Sequence, residues 1–408
     1  DEKYAGEFKT IFVLRQCRQC RKYKRRLQGR KEGKMSGRGH AQTVNYAGVD
    51  YFRIVAAVMV IGIHTAPFSG ISKAFDFLLT YCAGRVAVPF FFMTTGYFVL
   101  GSWRKNGNDA GSKVIRFIKK TLFLYAVSIV LYLPINFYSG GLPGSAGEFI
   151  RMLIFDGTFY HLWYFPAVII GCFAVMMLLK KFPARTVFGI TILLYLIGAG
   201  GDSCYGIAAR IPALEHMYDV IFAVSSYTRN GIFYAPIFLL MGRLLRERKA
   251  SIEKTENTAG TARTDSRTGR KNSTVRDIST GWNIAGLCIT LTLMLIEGYL
   301  TFSLDLQRHN SMYLFLPPVM YFLFRLLLSV PGYAPGWTRD VSMIVYIIHP
   351  GVLIMLRGIA GAAGLDWLLA ENALVQFITV SVASFAAAVL IDLVYTRIRI
   401  RKEAHENA

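Results

Sequence analysis

Asp50, Arg53 and His64 stand in one run, DYFRIVAAVMVIGIHTAPF, that is otherwise apolar and long enough to cross a bilayer. Arg53 and His64 are eleven residues apart. Eleven steps of ~100° return to within ~20° of three full turns, so the two side chains share a helix face, ~16 Å apart along the axis. Asp50 lies one turn before Arg53. Ionisable groups within a spanning helix are costly and are retained where they face a polar cavity. A neutral imidazole near physiological pH can take a proton from a hydroxyl, and a guanidinium can grip phosphate or carboxylate with a planar fork. The competing reading makes Arg53 an anchor snorkelling to the interface and His64 an interfacial residue.

Further polar residues fall at the ends of other apolar runs. Arg85 opens GRVAVPFFFMTTGYF, His161 and Trp163 lie in YHLWYF, and His349 sits mid-run in SMIVYIIHP. These four are candidate substrate contacts. Two alternatives stand beside that reading. His161 and Trp163 suit an interfacial aromatic belt. Pro350 lacks an N–H and leaves a carbonyl one turn earlier without its donor, which the His349 imidazole could serve. At the opposite end, Arg116, Lys119 and Lys120 open the third run. They could cradle the phosphates of a nucleotide-type co-substrate, or simply face lipid phosphates as topology signals. Arg325 and Asp392 stand at similar depth and suggest a structural ion pair, and Glu297 could face the cavity. Cys17 and Cys20 form a lone C-x-x-C with no second pair, which does not define a metal site. Neither a metal nor a permanently bound cofactor is expected.

The elements that must position these groups are membrane helices. Hydrophobic residues make up 53% of the 408-residue chain and charged residues only 17%, too little charge for a soluble domain of this length. The net charge of +21 is confined largely to loops: thirteen Lys and Arg fall in residues 1–45 and ten in 243–276. That pattern is one of membrane topology, and no nucleic-acid recognition motif accompanies it. The expected fold is all-α, a polytopic bundle of about ten spanning helices in the cell (plasma) membrane. The spans are expected near 51–68, 84–101, 114–137, 160–180, 185–200, 231–247, 281–302, 312–330, 341–359 and 373–397. Residues 71–82 and 147–156 are too short to span and read as interfacial helices.

The basic residues place both termini in the cytoplasm, with Arg53 at the inner end of the first span and His64 in its outer half. The organisation expected is a basic disordered segment over 1–45, spans one to six over 46–247, a disordered cytoplasmic linker over 248–280, spans seven to ten over 281–400, and a tail over 401–408. Met35 opens a short lead into the first span, so removal of residues 1–34 is expected to leave insertion intact.

The spacing of Asp50, Arg53 and His64, followed by VPFFFMTTGYF, resembles the opening of the acyltransferase-3 family of integral membrane acyltransferases. Thr95 stands where that family usually has Ser. Ser342, Tyr346 and His349 are similar to its late Ser-x-x-x-Tyr-x-x-His element. The likeness covers roughly residues 46–400 and implies transfer of an acyl group, acetyl above all, from cytoplasmic acyl-coenzyme A to an extracytoplasmic hydroxyl on a small molecule or glycan of the cell envelope. It implies roles as well: His64 as general base beside Arg53 and Asp50, Arg85 and His161 orienting the acceptor, and Arg53, Arg116, Lys119 and Lys120 holding donor phosphates. Only Arg116, with two lysines, stands where the family commonly has a double Arg. The segments VNYAGVDYFRIVAA, YHLWYFPA, GDSCYG and RNGIFYAPIFLLMG also resemble the membrane half of the vancomycin-resistance serine/alanine racemases. There such a domain precedes a racemase domain that uses pyridoxal phosphate, and is thought to supply L-serine. An amino-acid uptake or anchoring module is therefore the alternative expectation.

Overall fold

The computed structural model describes residues 46–103, 110–260 and 269–405. The expectation for residues 1–45 lies outside the described residues. Among those described there is no strand, and a single isolated bridge pairs Tyr46 with Gly332. Lipid supplies no partner for backbone N–H and C=O groups, so an apolar chain of this kind closes its hydrogen bonds within helices.

A helix stands at each of the ten expected spans. They are α1 (Ala47–Thr65), α2 (Ala87–Phe98), α3 (Ala110–Tyr138), α4 (Tyr164–Lys181), α5 (Ala184–Gly200), α6 (Ala235–Gly260), α7 (Gly269–Ser303), α8 (Leu316–Ser329), α9 (Trp337–Ala363) and α10 (Ala373–His405). By length and composition, six helical stretches can cross a membrane: α1, the stretch Lys73–Ser102 containing α2, α4, Thr280–Ser303 of α7, α9, and Ala373–Arg401 of α10. α5 and α8 are apolar but shorter. The stretch 71–82 is not a separate short helix: Lys73–Asp76 leads through a π-helical segment, Phe77–Cys82, and a 3-10 turn, Ala83–Val86, straight into α2. The ends of the expected linker are helical, through Gly260 and from Gly269, while residues 261–268 lie outside the described residues.

The order of burial locates the site. Half of α1 and two-thirds of the spanning window in Lys73–Ser102 are buried, against 17% for α7 and 22% for α10. α1 packs on α2, α8, α9 and α10, and α2 lies along α6. The α2–α6 crossing is set by two glycines. A Cβ on Gly96 would stand 2.0 Å from the Leu239 carbonyl oxygen, and one on Gly242 would stand 2.2 Å from that of Met93. Small residues let membrane helices meet backbone to backbone, where dispersion replaces the absent hydrophobic drive. Buried aromatics fill the space around this crossing, among them Phe90, Phe92, Tyr97, Tyr234 and Phe238.

Candidate functional site

His64 stands in the last turn of α1, which ends at Ala66 in a left-handed conformation (φ 48°) just before Pro67. It faces a cavity of about 270 Å³ shared with Arg85, Tyr160, His161, Trp163 and Arg229. Four of the residues singled out in the sequence thus meet at one place. His349 joins them from behind: its ring stacks on His64 at 5.3 Å between centroids and lies 5.6 Å from His161. Tyr160 covers the other side of His64 at 4.7 Å.

The backbone around His349 shows how α9 tolerates Pro350. Nδ1 of His349 approaches the Tyr346 carbonyl at 2.9 Å, the group that Pro350 leaves without a donor, and the Val345 carbonyl at 3.1 Å. The Tyr132 hydroxyl of α3 enters the same broken turn, donating to the Ile347 carbonyl (2.6 Å) and accepting from Gly351 N–H (3.1 Å). The backbone-satisfying role considered for His349 is therefore present, and it fixes the ring with Nδ1 occupied and Nε2 without a partner. Tyr346 hydrogen-bonds the His161 carbonyl and ties α9 to the loop before α4.

Two arginines give the cavity its charge. Arg85 sits in the 3-10 turn before α2 and donates from Nε to the Asn310 carbonyl (2.7 Å) and from Nη2 to the Asn310 side chain. Arg229 donates to Ser311 Oγ (3.3 Å), lies over the rings of Trp163 and Tyr227, and leaves a buried Nε without a partner. Among the described residues neither arginine forms an ion pair. Burial and the neighbouring Arg85 depress the Arg229 guanidinium below its ordinary value. Two half-buried cations without a direct ion-pair partner, with the Asp202 carboxyl their nearest counter-charge, favour an anion in the cavity.

Asp202, in the GDSCYG segment, organises the loop that holds both arginines. Its Oδ1 accepts from the N–H groups of Ser311 (2.6 Å) and Met312 (2.9 Å), and its carbonyl accepts from Arg308 N–H (3.0 Å). Burial raises the Asp202 carboxyl to about 6, although those two N–H groups oppose the shift. In the RNG segment, Asn230 Oδ1 accepts from Ile232 and Phe233 N–H groups as the chain enters α6. Sequence reading attaches no chemistry to Arg229. The signal for it lay in these two segments, whose likeness to the racemases was legible without any chemistry attached.

At the other end of α1, Asp50 and Arg53 form a separate cluster. Arg53 Nε reaches Asp50 Oδ1 at 3.3 Å, and Arg339 of α9 grips the same carboxylate with two bonds of 2.9 and 2.6 Å. The Asp50 side chain is 6% exposed, Arg53 17% and Arg339 56%. Arg53 is thus mostly buried against Asp50, and it does not line the cavity that His64 faces. Arg116, Lys119 and Lys120 are exposed on α3, which packs on α4, and no hydrogen bond or ion pair links them to Arg53. Glu297 departs from its expected cavity role: its carboxylate accepts from Leu314 (2.7 Å) and Phe315 (3.1 Å) N–H groups and caps the entry to α8. Arg325 donates to the Tyr321 hydroxyl at 3.1 Å. Among the described residues no group of His, Cys, Asp and Glu side chains could hold a metal ion.

These features define a multi-pass helical membrane protein with a polar cavity sunk between its central helices. The acyltransferase-3 family model, an acyltransferase domain, matches residues 46–393, and the chain belongs to that family. It is 37% identical over 365 residues to an amino-acid racemase of Enterococcus faecalis, covering 88% of this chain and 47% of the relative. A second amino-acid racemase of that organism is 34% identical, covering 87% and 47%. A serine/alanine racemase of Enterococcus gallinarum is 36% identical over 312 residues, covering 74% and 40%. The chain thus spans less than half the length of the curated relatives it matches. No solved structure matches it.

Proposed function

We propose that the chain is a membrane acyltransferase whose outer cavity takes a small, anionic, hydroxyl-bearing acceptor. The observation that carries this reading is the meeting of His64 with two unpaired arginines, Arg85 and Arg229, in one cavity. The arginines would hold a carboxylate on the acceptor and leave its hydroxyl beside the imidazole. His64 would accept the hydroxyl proton as the oxygen attacks the thioester carbonyl of an acyl-coenzyme A donor. Collapse of the tetrahedral intermediate would release the coenzyme A thiolate, which the protonated imidazole returns to the thiol. His349, held by the backbone of α9, would fix the face that His64 presents. Donor phosphates would be met at the opposite end of the bundle, by Arg339 and the Arg53–Asp50 pair or by Arg116, Lys119 and Lys120.

The same cavity supports a second reading, an amino-acid uptake or anchoring module. Two half-buried guanidiniums suit the carboxylate of L-serine as well as they suit an acyl acceptor. The relatives' names, amino-acid racemase and serine/alanine racemase, favour an amino acid as the occupant. One experiment separates the two: purified proteoliposomes are given labelled acetyl-coenzyme A with candidate hydroxy acids, and labelled L-serine in parallel. Label appearing on an acceptor supports acyl transfer. Uptake of L-serine without acylation supports the second reading, and neither result in folded, inserted protein would refute both.

A further inference from the structure

A second concavity, of about 470 Å³, shares no lining residue with the His64 cavity. One wall is α5, through Ile192 and Leu196, and the facing stripe is α6, through Met241, Leu245 and Arg248. α6 packs on both α5 and α8, and Tyr321 of α8 lines the far side. The α6 residues that line it begin at Ile237, eleven positions before Arg248. Eleven residues of helix rise ~16 Å, close to the ~15 Å of hydrocarbon in one leaflet. The groove is therefore as deep as a single acyl chain is tall, and apolar except at one end.

That end is cationic. Four basic residues crowd the turns of α6 there, and three have partners. Arg243 pairs with Glu247 at 2.6 Å, Arg246 donates to the Tyr46 hydroxyl, and Lys249 lies over the Tyr46 ring. Arg248 is exposed and makes no hydrogen bond or ion pair among the described residues. α6 and α8 both start beside Gly198, where Phe233 and Met312 pack, so they run the same way. Arg325 therefore lies beyond Tyr321 toward the Arg248 end, with its guanidinium on the Tyr321 hydroxyl.

We infer that this groove is a binding site for an anionic glycerophospholipid, one acyl chain lying between α5, α6 and α8 and the phosphate on Arg248. The occupant follows from the match of groove length to one leaflet and from the unpartnered cation at its polar end. The inference does not rest on the chemistry proposed for the His64 cavity.

The full chain, purified in neutral detergent, would be incubated with phosphatidylglycerol or phosphatidylcholine carrying the same acyl chain with a mid-chain diazirine. Crosslinked peptides would then be mapped after illumination. Labelling is expected to concentrate on α5 and α6, with phosphatidylglycerol favoured about five-fold, the factor given by roughly 1 kcal/mol per interfacial cation. Arg248→Gln should erase the preference and keep the labelling, because an exposed side chain contributes little to folding. Leu196→Trp should fill the groove and suppress labelling by both lipids. α7 and α10, whose windows are mostly unburied, serve as the internal control for annular lipid. Equal labelling by the two lipids, a preference that survives Arg248→Gln, or crosslinks as dense on α7 and α10 as in the groove would overturn the inference.

Discussion

His64 and Arg53 share a helix face but serve different neighbourhoods, and substitutions should separate them. His64→Ala removes a ring that lines a cavity and packs on His349 and Tyr160, so activity should vanish while expression and insertion stay near normal. Arg53→Lys keeps the charge beside Asp50 but loses the fork. Activity should fall at least ten-fold, with little change if Arg53 only balances Asp50 in charge; steady-state assay of purified protein decides. The loop held by Asp202 offers a test by pH. Burial raises Asp202 to about 6 and lowers His309 to about 4. A carboxyl raised on folding binds more protons in the native state, so its contribution falls as pH rises from about 4 to about 6. An imidazole lowered on folding binds fewer, so its contribution falls as pH drops from about 6.5 to about 4. The two oppose one another over nearly the same window. Asp202→Asn retains the acceptor for the Ser311 and Met312 N–H groups and should lose more stability than wild type on acidification. His309→Asn should lose less. Melting curves between pH 4 and 7.5 in which both variants depart from wild type in the same sense would contradict this account.

Between elements, the α2–α6 crossing carries the geometry of the cavity, because α2 begins two residues after Arg85 and α6 six residues after Arg229. Gly96→Ala would press a methyl group into the Leu239 carbonyl at 2.0 Å. Overpacking of this kind costs about 1–3 kcal/mol. The variant should melt several degrees lower and lose activity with His64 untouched, while Gly189→Ala, whose added Cβ meets nothing within 4 Å, should match wild type. The broken turn of α9 is the other lever. Tyr132→Phe removes the hydroxyl that bonds both the Ile347 carbonyl and the Gly351 N–H, at about 0.5–1.5 kcal/mol for each hydrogen bond lost. Because that turn carries His349, activity should drop with it, as the same assay would register.

For the whole molecule, the orientation expected from the basic loops is testable. In a cysteine-free background, Ala213→Cys, at an exposed position after α5, should react with an impermeant maleimide on intact cells. Ser273→Cys, in the 248–280 segment, should react only after permeabilisation. The opposite pattern would invert the bundle and place the His64 cavity on the cytoplasmic side.

What the sequence determined by itself was the class and the row of elements. Apolar runs of spanning length must close their own backbone hydrogen bonds, so they announce helices wherever they occur, and the spacing of Asp50, Arg53 and His64 with VPFFFMTTGYF announced the family. Arg85, His161 and Trp163 were legible as well, because a charged or amphipathic residue at the end of an apolar run is conspicuous. Which of these groups meet was decided only by the tertiary structure. Arg229 reaches the His64 cavity from 165 positions along the chain, and Arg339 takes Asp50 from 289 positions away. Glu297 turned to cap α8 rather than face the cavity. Helical periodicity fixes the face on which a side chain stands, but not the neighbouring helix that the face will meet. That choice is made by the close approaches at Gly96 and Gly242, the Tyr132 hydroxyl set into α9 and the loop held by Asp202, each a contact between distant segments that no local pattern encodes.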